Sequence, residues 1–273
     1  MTGRRAIREL PSALDRPGVV RERLGDRTPA VFLDYDGTLT PIVPDPAEAR
    51  LPEATRRTLR RLARACPVAV LSGRDLPDVR SRVGLPGLHY AGSHGFDIRG
   101  PGGLREERAT ELLPALEAAA EALEAAASDV PGARVERKRF AVAVHWRATP
   151  ADDVPGLEER VREVGRDFPD LEVAGGKKIF ELRPAVAWDK GRALERLMEV
   201  MDLDPGRACP VYVGDDVTDE DAFRFVREVE GLAVVVRGED DDRATRAELA
   251  LADPAAVRSF LEALAKGGGD GSV

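Results

Sequence analysis

Short apolar runs that end in reactive polar side chains are the feature that most restricts how this 273-residue chain can fold. Residues 30–33, 68–71 and 211–213 are such runs, and each is followed along the chain by a segment with helical periodicity. Strands that alternate with helices form a parallel sheet with helices on both faces. Ligands of such sheets bind at the carboxyl ends of the strands. The sequence therefore predicts an α/β core with its functional site along one edge.

The alternation of strands and helices is interrupted once. A Gly-Pro-Gly-Gly turn at 100–103 precedes a segment whose predicted elements run α-β-β-α-β-β, beginning with an alanine-rich helix at 110–127. Such a segment forms helices packed on an antiparallel sheet. The sequence thus predicts two domains: an α/β core from residues 1–103 and 184–273, and an α+β cap inserted at 104–183.

Charge and composition exclude several classes of partner. The 41 basic and 49 acidic residues give a net charge of −8, which argues against a broad nucleic-acid surface. No apolar run approaches the roughly 20 residues that span a bilayer. Residues 1–29 are predicted to form an arginine-rich helix and a loop, without the apolar core of an export signal. Two isolated cysteines, Cys66 and Cys209, fit a reducing compartment, so the sequence predicts a cytoplasmic protein.

Two aspartates directly follow the first apolar run, in Asp34-Tyr35-Asp36-Gly37-Thr38. Carboxylates this close to a buried strand are unfavourable unless a cation or a reaction uses them. Asp34 is positioned to be a nucleophile that forms an aspartyl-phosphate, and Asp36 to be the general acid and base. An Asp-Gly turn with a capping threonine is the alternative interpretation.

Three further polar clusters lie at strand or helix ends. The Ser-Gly-Arg sequence at 72–74 suits a phosphate oxygen, or Ser72 caps the next helix. Lys190 begins a predicted helix against the helix dipole, which a bound phosphoryl group would explain, although a solvated surface lysine is an equal alternative. The Gly-Asp-Asp sequence at 214–216 follows the third apolar run, and its carboxylates suit Mg²⁺. The acidic residues at 219–221 are also explained by an ordinary helix start.

The order of these four motifs resembles the haloacid dehalogenase-like phosphatase superfamily. That resemblance implies a Rossmann-like parallel-sheet hydrolase core, and the insertion resembles the α+β cap of the sugar-phosphatase branch. The longer segments are similar to the trehalose-6-phosphate phosphatase family, and they lie at 34–42, 92–95, 136–147, 176–184, 188–193 and 214–223.

The resemblance implies a role for each matching residue. Asp34 is expected to be the nucleophile and a Mg²⁺ ligand, and Asp36 the acid and base with its backbone carbonyl on the metal. Asp215 is the further ligand, and Asp216 or Asp219 is expected to support either Asp215 or Lys190. Ser72 and Lys190 complete the catalytic set by holding the phosphoryl group. The substrate-binding residues implied are Asp34, Tyr35, Asp36, Ser72, Glu136, Lys138, Arg147, Lys177 and Glu181.

The expected reaction is the Mg²⁺-dependent hydrolysis of trehalose 6-phosphate to trehalose and phosphate. Two alternatives stay open from the sequence: a phosphatase of sucrose 6-phosphate or mannosyl phosphoglycerate, and a non-catalytic sensor of sugar phosphates. The expected partner is a small sugar phosphate, with no nucleic acid and no membrane. A transient contact with the trehalose-6-phosphate synthase is a further expectation.

Overall fold

The computed structural model describes residues 4–43, 45–176, 178–238 and 243–267. The chain divides into two compact units, a core unit of Met1–Glu106 and Trp188–Val273 and an inserted unit of Glu107–Ala187. The sequence predicts the insertion at 104–183, slightly earlier at each end.

Helices and strands alternate along the described chain, with short 3₁₀ turns between some of them. The first elements are β1 (Arg5–Ala6), α1 (Pro17–Leu24), β2 (Thr28–Leu33), α2 (Glu53–Ala65), β3 (Val68–Leu71), α3 (Leu76–Val83), β4 (His89–Gly92), β5 (Asp97–Arg99) and β6 (Arg105–Glu107). Those of the insertion are α4 (Leu113–Ala127), β7 (Arg134–Lys138), β8 (Ala141–His145), α5 (Val154–Asp167), β9 (Leu171–Gly176) and β10 (Ile179–Pro184). The last are α6 (Lys190–Val200), β11 (Ala208–Gly214), α7 (Glu220–Glu228), β12 (Leu232–Val236), β13 (Ala244–Thr245), β14 (Leu249–Leu251) and α8 (Pro254–Gly267).

The core unit is built on an eight-stranded sheet with the order β14-β12-β11-β2-β3-β4-β5-β6. The strands from β14 to β4 are parallel, and β5 is antiparallel to β4. Successive residues of β2 enter two different hydrophobic clusters, with Val31 and Leu33 packing beside α2 and α8. Ala30 and Phe32 pack beside α6 and α7 on the other face. Burial on both faces explains why these strands read as continuous apolar runs.

The inserted unit is an antiparallel sheet with the order β7-β8-β10-β9. Helices α4 and α5 pack on one face of it through Leu116, Leu123 and Leu157, against Val142 and Val144 of β8. The predicted fold class, a parallel-sheet α/β core with an αββαββ insertion, is therefore confirmed.

The start of the chain differs in part from the helix predicted within residues 1–29, because the helix found there, α1, begins only at Pro17. Among the described residues before Pro17 there is a short strand, β1, which pairs antiparallel with β13, and a 3₁₀ turn at Ile7–Glu9. Ile7 and Leu10 are buried in the core unit. The isolated apolar residues of an otherwise polar segment are thus anchors for packing. None of the helices in the described ranges is both long and apolar enough to cross a membrane.

Candidate active site

Three neighbouring parallel strands deliver the predicted catalytic side chains to one edge of the core sheet. Asp34 directly follows β2, Ser72 follows β3 and Asp215 follows β11. The register aligns the ends of these strands, because Leu33 pairs with both Val213 and Val70. Residues separated by more than a hundred positions in sequence therefore lie at the same edge.

Lys190 is the first residue of α6 and connects two of the acidic motifs. Its Nζ lies 3.0 Å from Oδ1 of Asp34 and 2.6 Å from Oδ1 of Asp219. All three side chains are at most 7% exposed. The lysine is therefore a buried ammonium held between two carboxylates, and the alternative of a solvated surface lysine is excluded.

Burial and mutual charge set the ionisation of this group. Burial raises the pKa of the Asp34 carboxyl well above its ordinary value, although the charge of Lys190 opposes that shift. Burial by itself would lower the pKa of Lys190, but the charges of Asp219 and Asp34 outweigh it and the pKa is raised. The pKa of Asp219 is lowered in spite of burial, chiefly by Lys190. Lys190 is thus a permanent cation, and the carboxylate of Asp219 is its charged partner.

Asp219 is fixed by more than the lysine. Its Oδ1 also accepts the hydroxyl hydrogen of Tyr212 at 2.7 Å, and its Oδ2 accepts from the backbone N–H of Asp216 at 2.8 Å. A Cβ at position 214 would lie 2.4 Å from the Asp219 carboxyl group, so a glycine is required there. The acidic residues after β11 therefore do more than begin a helix, because Asp219 is a buried partner of Lys190.

The carboxylates of Asp34, Asp215 and Asp219 form a candidate metal site. One oxygen from each lies within 4.8 Å of the others, and all three residues are buried. The backbone at Gly37, with φ of +76°, approaches so closely that a Cβ there would lie 2.2 Å from Oδ2 of Asp215. The carboxyl oxygens of Asp219 already accept from Lys190, Tyr212 and the backbone. Asp34 and Asp215 are therefore the better donors, and their hard oxygen atoms suit a divalent cation.

Asp36 has a partner that the sequence analysis did not assign. Nε and Nη2 of Arg74 donate to its two carboxylate oxygens at 2.6 and 2.7 Å. Arg243 is a second residue without an assigned role, and its Nη2 donates to the backbone carbonyl of Asp215. Both arginines are distant in sequence from the aspartates that they contact, and the chain has many arginines. No local pattern distinguishes these two.

Ser72 belongs to a turn that is braced by its neighbour in space. Its Oγ accepts from the backbone N–H of Arg74 at 3.1 Å. The backbone N–H groups of Ser93 and His94 donate to the carbonyls of Arg74 and Ser72. Ser93 and His94 both have positive φ, which is uncommon for residues other than glycine. The Gly-Ser-His-Gly segment at 92–95 therefore supports the Ser72 turn.

In the inserted unit, the sugar-binding candidates share one face of the sheet. The register pairs Glu136 and Glu181 with Ala143 on opposite sides of β8, and Lys138 lies two residues beyond Glu136. The Nζ of Lys138 donates to Oε1 of Glu181 at 2.8 Å. Nε2 of His145 lies 2.6 Å from Oε2 of Glu136, and this hydrogen bond lowers the pKa of the Glu136 carboxyl. This face is opposite the one on which α4 and α5 pack.

The remaining candidates differ in their accessibility. The side chain of Tyr35 is completely buried, and its hydroxyl donates to the carbonyl of Ala49. Only the backbone of Tyr35 can therefore contact a substrate. Arg147 is exposed, just past the end of β8. Lys177 lies outside the described residues.

The parallel core sheet with carboxylates at its strand ends, interrupted by an αββαββ unit, is the architecture of haloacid dehalogenase-like hydrolases. The family model described as trehalose-phosphatase matches residues 32–255. The chain therefore belongs to the trehalose-phosphatase family.

Individual relatives agree with this family. The chain is 46% identical over 270 residues to a trehalose-phosphate phosphatase of Mycobacterium avium, which covers 97% of this chain and 69% of the relative. It is 46% identical over 272 residues to a trehalose-phosphate phosphatase of Mycobacterium tuberculosis, covering 97% and 68%. Among solved structures, the C-terminal domain of a Candida albicans trehalose-6-phosphate phosphatase is similar, with a TM-score of 0.79 and 26% identity over 94% of this chain and 99% of that one.

Proposed function

We propose that the chain hydrolyses trehalose 6-phosphate to trehalose and phosphate through an aspartyl-phosphate on Asp34. One observation carries the proposal: Asp34 is held by the buried ammonium of Lys190 at 3.0 Å, with Asp36 two residues further along the chain. A nucleophilic carboxylate beside a carboxyl group that can exchange protons is the pair that phosphate-ester cleavage through a covalent intermediate requires.

In the first step, an oxygen of Asp34 attacks phosphorus and the bond between phosphorus and the sugar oxygen breaks. Protonated Asp36 gives its proton to the departing sugar oxygen. Lys190 holds Asp34 in position and offsets the negative charge of the phosphoryl group. Ser72 Oγ accepts from the N–H of Arg74, so its own O–H can donate to a phosphoryl oxygen.

In the second step, water attacks the phosphorus of the aspartyl-phosphate and transfers a proton to Asp36, which now acts as the base. The bond between phosphorus and the Asp34 oxygen breaks, phosphate is released and Asp34 is regenerated. Asp36 ends the cycle protonated, as it began, so the two steps balance.

Mg²⁺ is the proposed cofactor, held by the carboxylates of Asp34 and Asp215 and by the backbone carbonyl of Asp36. The geometry supports a cation, because one carboxyl oxygen each from the buried Asp34, Asp215 and Asp219 lies within 4.8 Å of the others. When bound, Mg²⁺ would stabilise the negative charge that develops on the phosphoryl oxygens.

The inserted unit is proposed to recognise the sugar through Glu136, Lys138, Glu181 and Arg147, with Lys177 as a further contact. Sugar hydroxyls both donate and accept hydrogen bonds, so a face with carboxylates and an ammonium suits them. The proposed roles of the two units are therefore chemistry in the core unit and sugar recognition in the inserted unit.

We also propose a cytoplasmic location and a contact with the synthase. Cys66 and Cys209 are free and buried, which is compatible with the reducing cytoplasm. Contact with the synthase that supplies trehalose 6-phosphate is proposed only from the shared metabolite, and co-purification of the two proteins would test it.

A substrate panel tests the function. Phosphate release is measured with trehalose 6-phosphate, sucrose 6-phosphate, mannosyl phosphoglycerate, glucose 6-phosphate and p-nitrophenyl phosphate, each with Mg²⁺ and with excess EDTA. We expect a strong preference for trehalose 6-phosphate that EDTA abolishes. Preference for another sugar phosphate would overturn the substrate assignment and keep the core chemistry. No turnover of any ester would favour the sensor.

Asp34→Asn tests the nucleophile. The amide retains the size of the side chain but cannot attack phosphorus, so we expect a loss of turnover of at least about 10³-fold with an unchanged circular dichroism spectrum. Asp26→Asn, an exposed aspartate of the same unit, is the matched control. Wild-type activity in Asp34→Asn would show that the mechanism is wrong.

A further inference from the structure

Among the described residues, one side chain, that of Arg74, donates to both carboxylate oxygens of Asp36. Nε of Arg74 donates to Oδ2 at 2.6 Å and Nη2 donates to Oδ1 at 2.7 Å. The Arg74 side chain is 11% exposed, whereas that of Asp36 is 42% exposed. A two-point contact of this kind fixes the plane of a carboxylate as well as its distance. Asp36 is thus half-open to solvent but fixed in orientation.

Arg74 is itself immobilised by its surroundings. Its Nη1 donates to Oδ2 of Asp78 at 2.8 Å, and its guanidinium lies 5.5 Å from the centre of the Tyr35 ring. Asp78 accepts in turn from Nε of Arg82. Arg82 continues the chain of contacts to the carbonyl of Ala49, the same carbonyl that accepts from the buried Tyr35 hydroxyl. The Arg74 guanidinium is therefore held by Asp78 and by the Tyr35 ring, and these contacts restrict its movement.

The backbone of Arg74 is fixed as well. Its N–H donates to Oγ of Ser72, and its carbonyl accepts from the N–H of Ser93 at 2.7 Å. One residue therefore joins the turn of the proposed phosphate ligand Ser72 to the side chain of the proposed acid and base. Burial would lower the pKa of Arg74, but its bonds to Asp36 and Asp78 outweigh burial and raise it. Arg74 is thus a permanent cation beside Asp36.

We propose that Arg74 is a positioning residue that orients the Asp36 carboxyl group for proton exchange with the leaving sugar oxygen and the attacking water. This inference rests on the proposed function, in which Asp36 is the acid and base. Both oxygens of Asp36 accept hydrogen bonds from the Arg74 guanidinium. The oxygen that carries and transfers the proton must therefore give up its hydrogen bond to Arg74. The other oxygen keeps its bond to Arg74, and the carboxyl group turns about that fixed point.

The leaving group separates this role from a structural one. A sugar alkoxide needs a proton as it departs, whereas p-nitrophenolate is a stable anion and leaves without one. The value of kcat/KM reports the step that forms the aspartyl-phosphate, so the experiment compares it for trehalose 6-phosphate and p-nitrophenyl phosphate. Asp36→Asn is the reference, and we expect it to lower kcat/KM for the sugar ester by about 10²–10⁴-fold and for the nitrophenyl ester much less.

Arg74→Gln is expected to show the same selectivity on a smaller scale. The loss is about tenfold or more for trehalose 6-phosphate and within about threefold for p-nitrophenyl phosphate, because Asp36 is present but no longer oriented. Arg74→Lys restores one of the two hydrogen bonds, so its loss falls between the wild type and Arg74→Gln. Arg80→Gln is the control and leaves both values unchanged, because Arg80 lies within α3 and its guanidinium is over the Tyr90 ring, 5.9 Å from the ring centre.

Two further variants test whether Arg74 acts through Asp36 rather than through the stability of the fold. Asp78→Asn removes the support of Arg74 without touching Asp36, and a smaller selective loss for the sugar ester is expected. In the Asp36→Asn background, Arg74→Gln should cause no further loss, because it acts only through Asp36. Thermal unfolding of each variant confirms that it is folded.

Each outcome decides the proposal. Equal losses for the two esters in folded Arg74→Gln would show that Arg74 binds the phosphoryl group or supports the site generally, and would overturn it. A further loss in the double variant would also overturn it. Equal losses in Asp36→Asn would instead overturn the acid role of Asp36, and the inference would fall with it. Selective loss in both variants supports the proposal.

Discussion

The core unit and the inserted unit hold their charged side chains in different ways. In the core unit, Lys190 lies between Asp34 and Asp219, with all three side chains at most 7% exposed. In the inserted unit, the Lys138 and Glu181 side chains are 14% and 10% exposed, and the Glu136 side chain beside His145 is 45% exposed. Charges in the core are enclosed by the fold, whereas those of the insertion lie along a sheet face.

This contrast has an energetic consequence. A buried charge that loses its partner is strongly destabilising, because nothing replaces the lost interaction. A charge near the surface regains water, so the same change costs little. The enclosed group of the core can therefore hold reacting atoms in fixed places. The open face of the insertion can adjust to a ligand, and this is the difference expected between chemistry and recognition.

Among the changes that test this contrast, the largest effect on stability is expected from Asp219→Asn. This change removes a charge that is 0% exposed and leaves Lys190 with Asp34 as its remaining carboxylate partner among the described ion pairs. We expect the free energy of unfolding to fall by roughly 3 kcal/mol, as for a broken buried pair. Turnover should fall by about 10²-fold, because Lys190 and Asp34 lose their alignment. Urea unfolding and phosphate release measure the two quantities.

The matched control for this prediction is Asp221→Asn, in the first turn of α7, which begins directly after Asp219. The Asp221 side chain is 44% exposed and pairs with Arg224 at 3.6 Å. Its change in the free energy of unfolding should lie within about 0.5 kcal/mol. Equal stability of Asp219→Asn and the wild type would contradict the view that enclosure makes the core group rigid.

An intermediate effect is expected from Glu181→Gln on the inserted sheet face. Loss of a charged hydrogen-bonding group should raise KM for trehalose 6-phosphate by about tenfold. KM for p-nitrophenyl phosphate, which has no sugar, should change little, and so should stability, since Lys138 is left partly exposed. Steady-state kinetics with both esters provide the measurement. Glu158→Gln, which removes an exposed helix pair with Arg162, is the control. An equal rise in KM for both esters would refute recognition of the sugar by this face.

The core site could be predicted from sequence because its evidence is local. Asp34 and Ser72 each follow an apolar run directly, and Asp215 follows one after Gly214. Parallel strands place such ends at one edge of the sheet. The interruption of the alternation between strands and helices indicated the insertion. Even so, the acidic partner of Lys190 after β11 could only be narrowed to Asp216 or Asp219, because both are acidic and close in sequence.

What sequence could not predict depends on contacts between distant residues. Arg74 and Asp36 are 38 positions apart, and no periodicity links them. The first residues of the chain resembled a polar helix because Ile7 and Leu10 are few among charges. Their burial depends on strand pairing with Ala244–Thr245, at the far end of the chain. Such pairings exist only once the fold has formed.

The smallest effect on stability and KM is expected from Arg137→Gln on the inserted unit, although this arginine contacts two carboxylates. Arg137 contacts Glu117 and Glu124, and the three side chains are 37%, 64% and 46% exposed. Water and salt screen such pairs, so we expect no measurable change in the thermal midpoint or in either KM. Thermal unfolding at low and high salt checks this. If Arg137→Gln destabilised the chain as much as Asp219→Asn does, the enclosure of the charged groups would not be what distinguishes the two units.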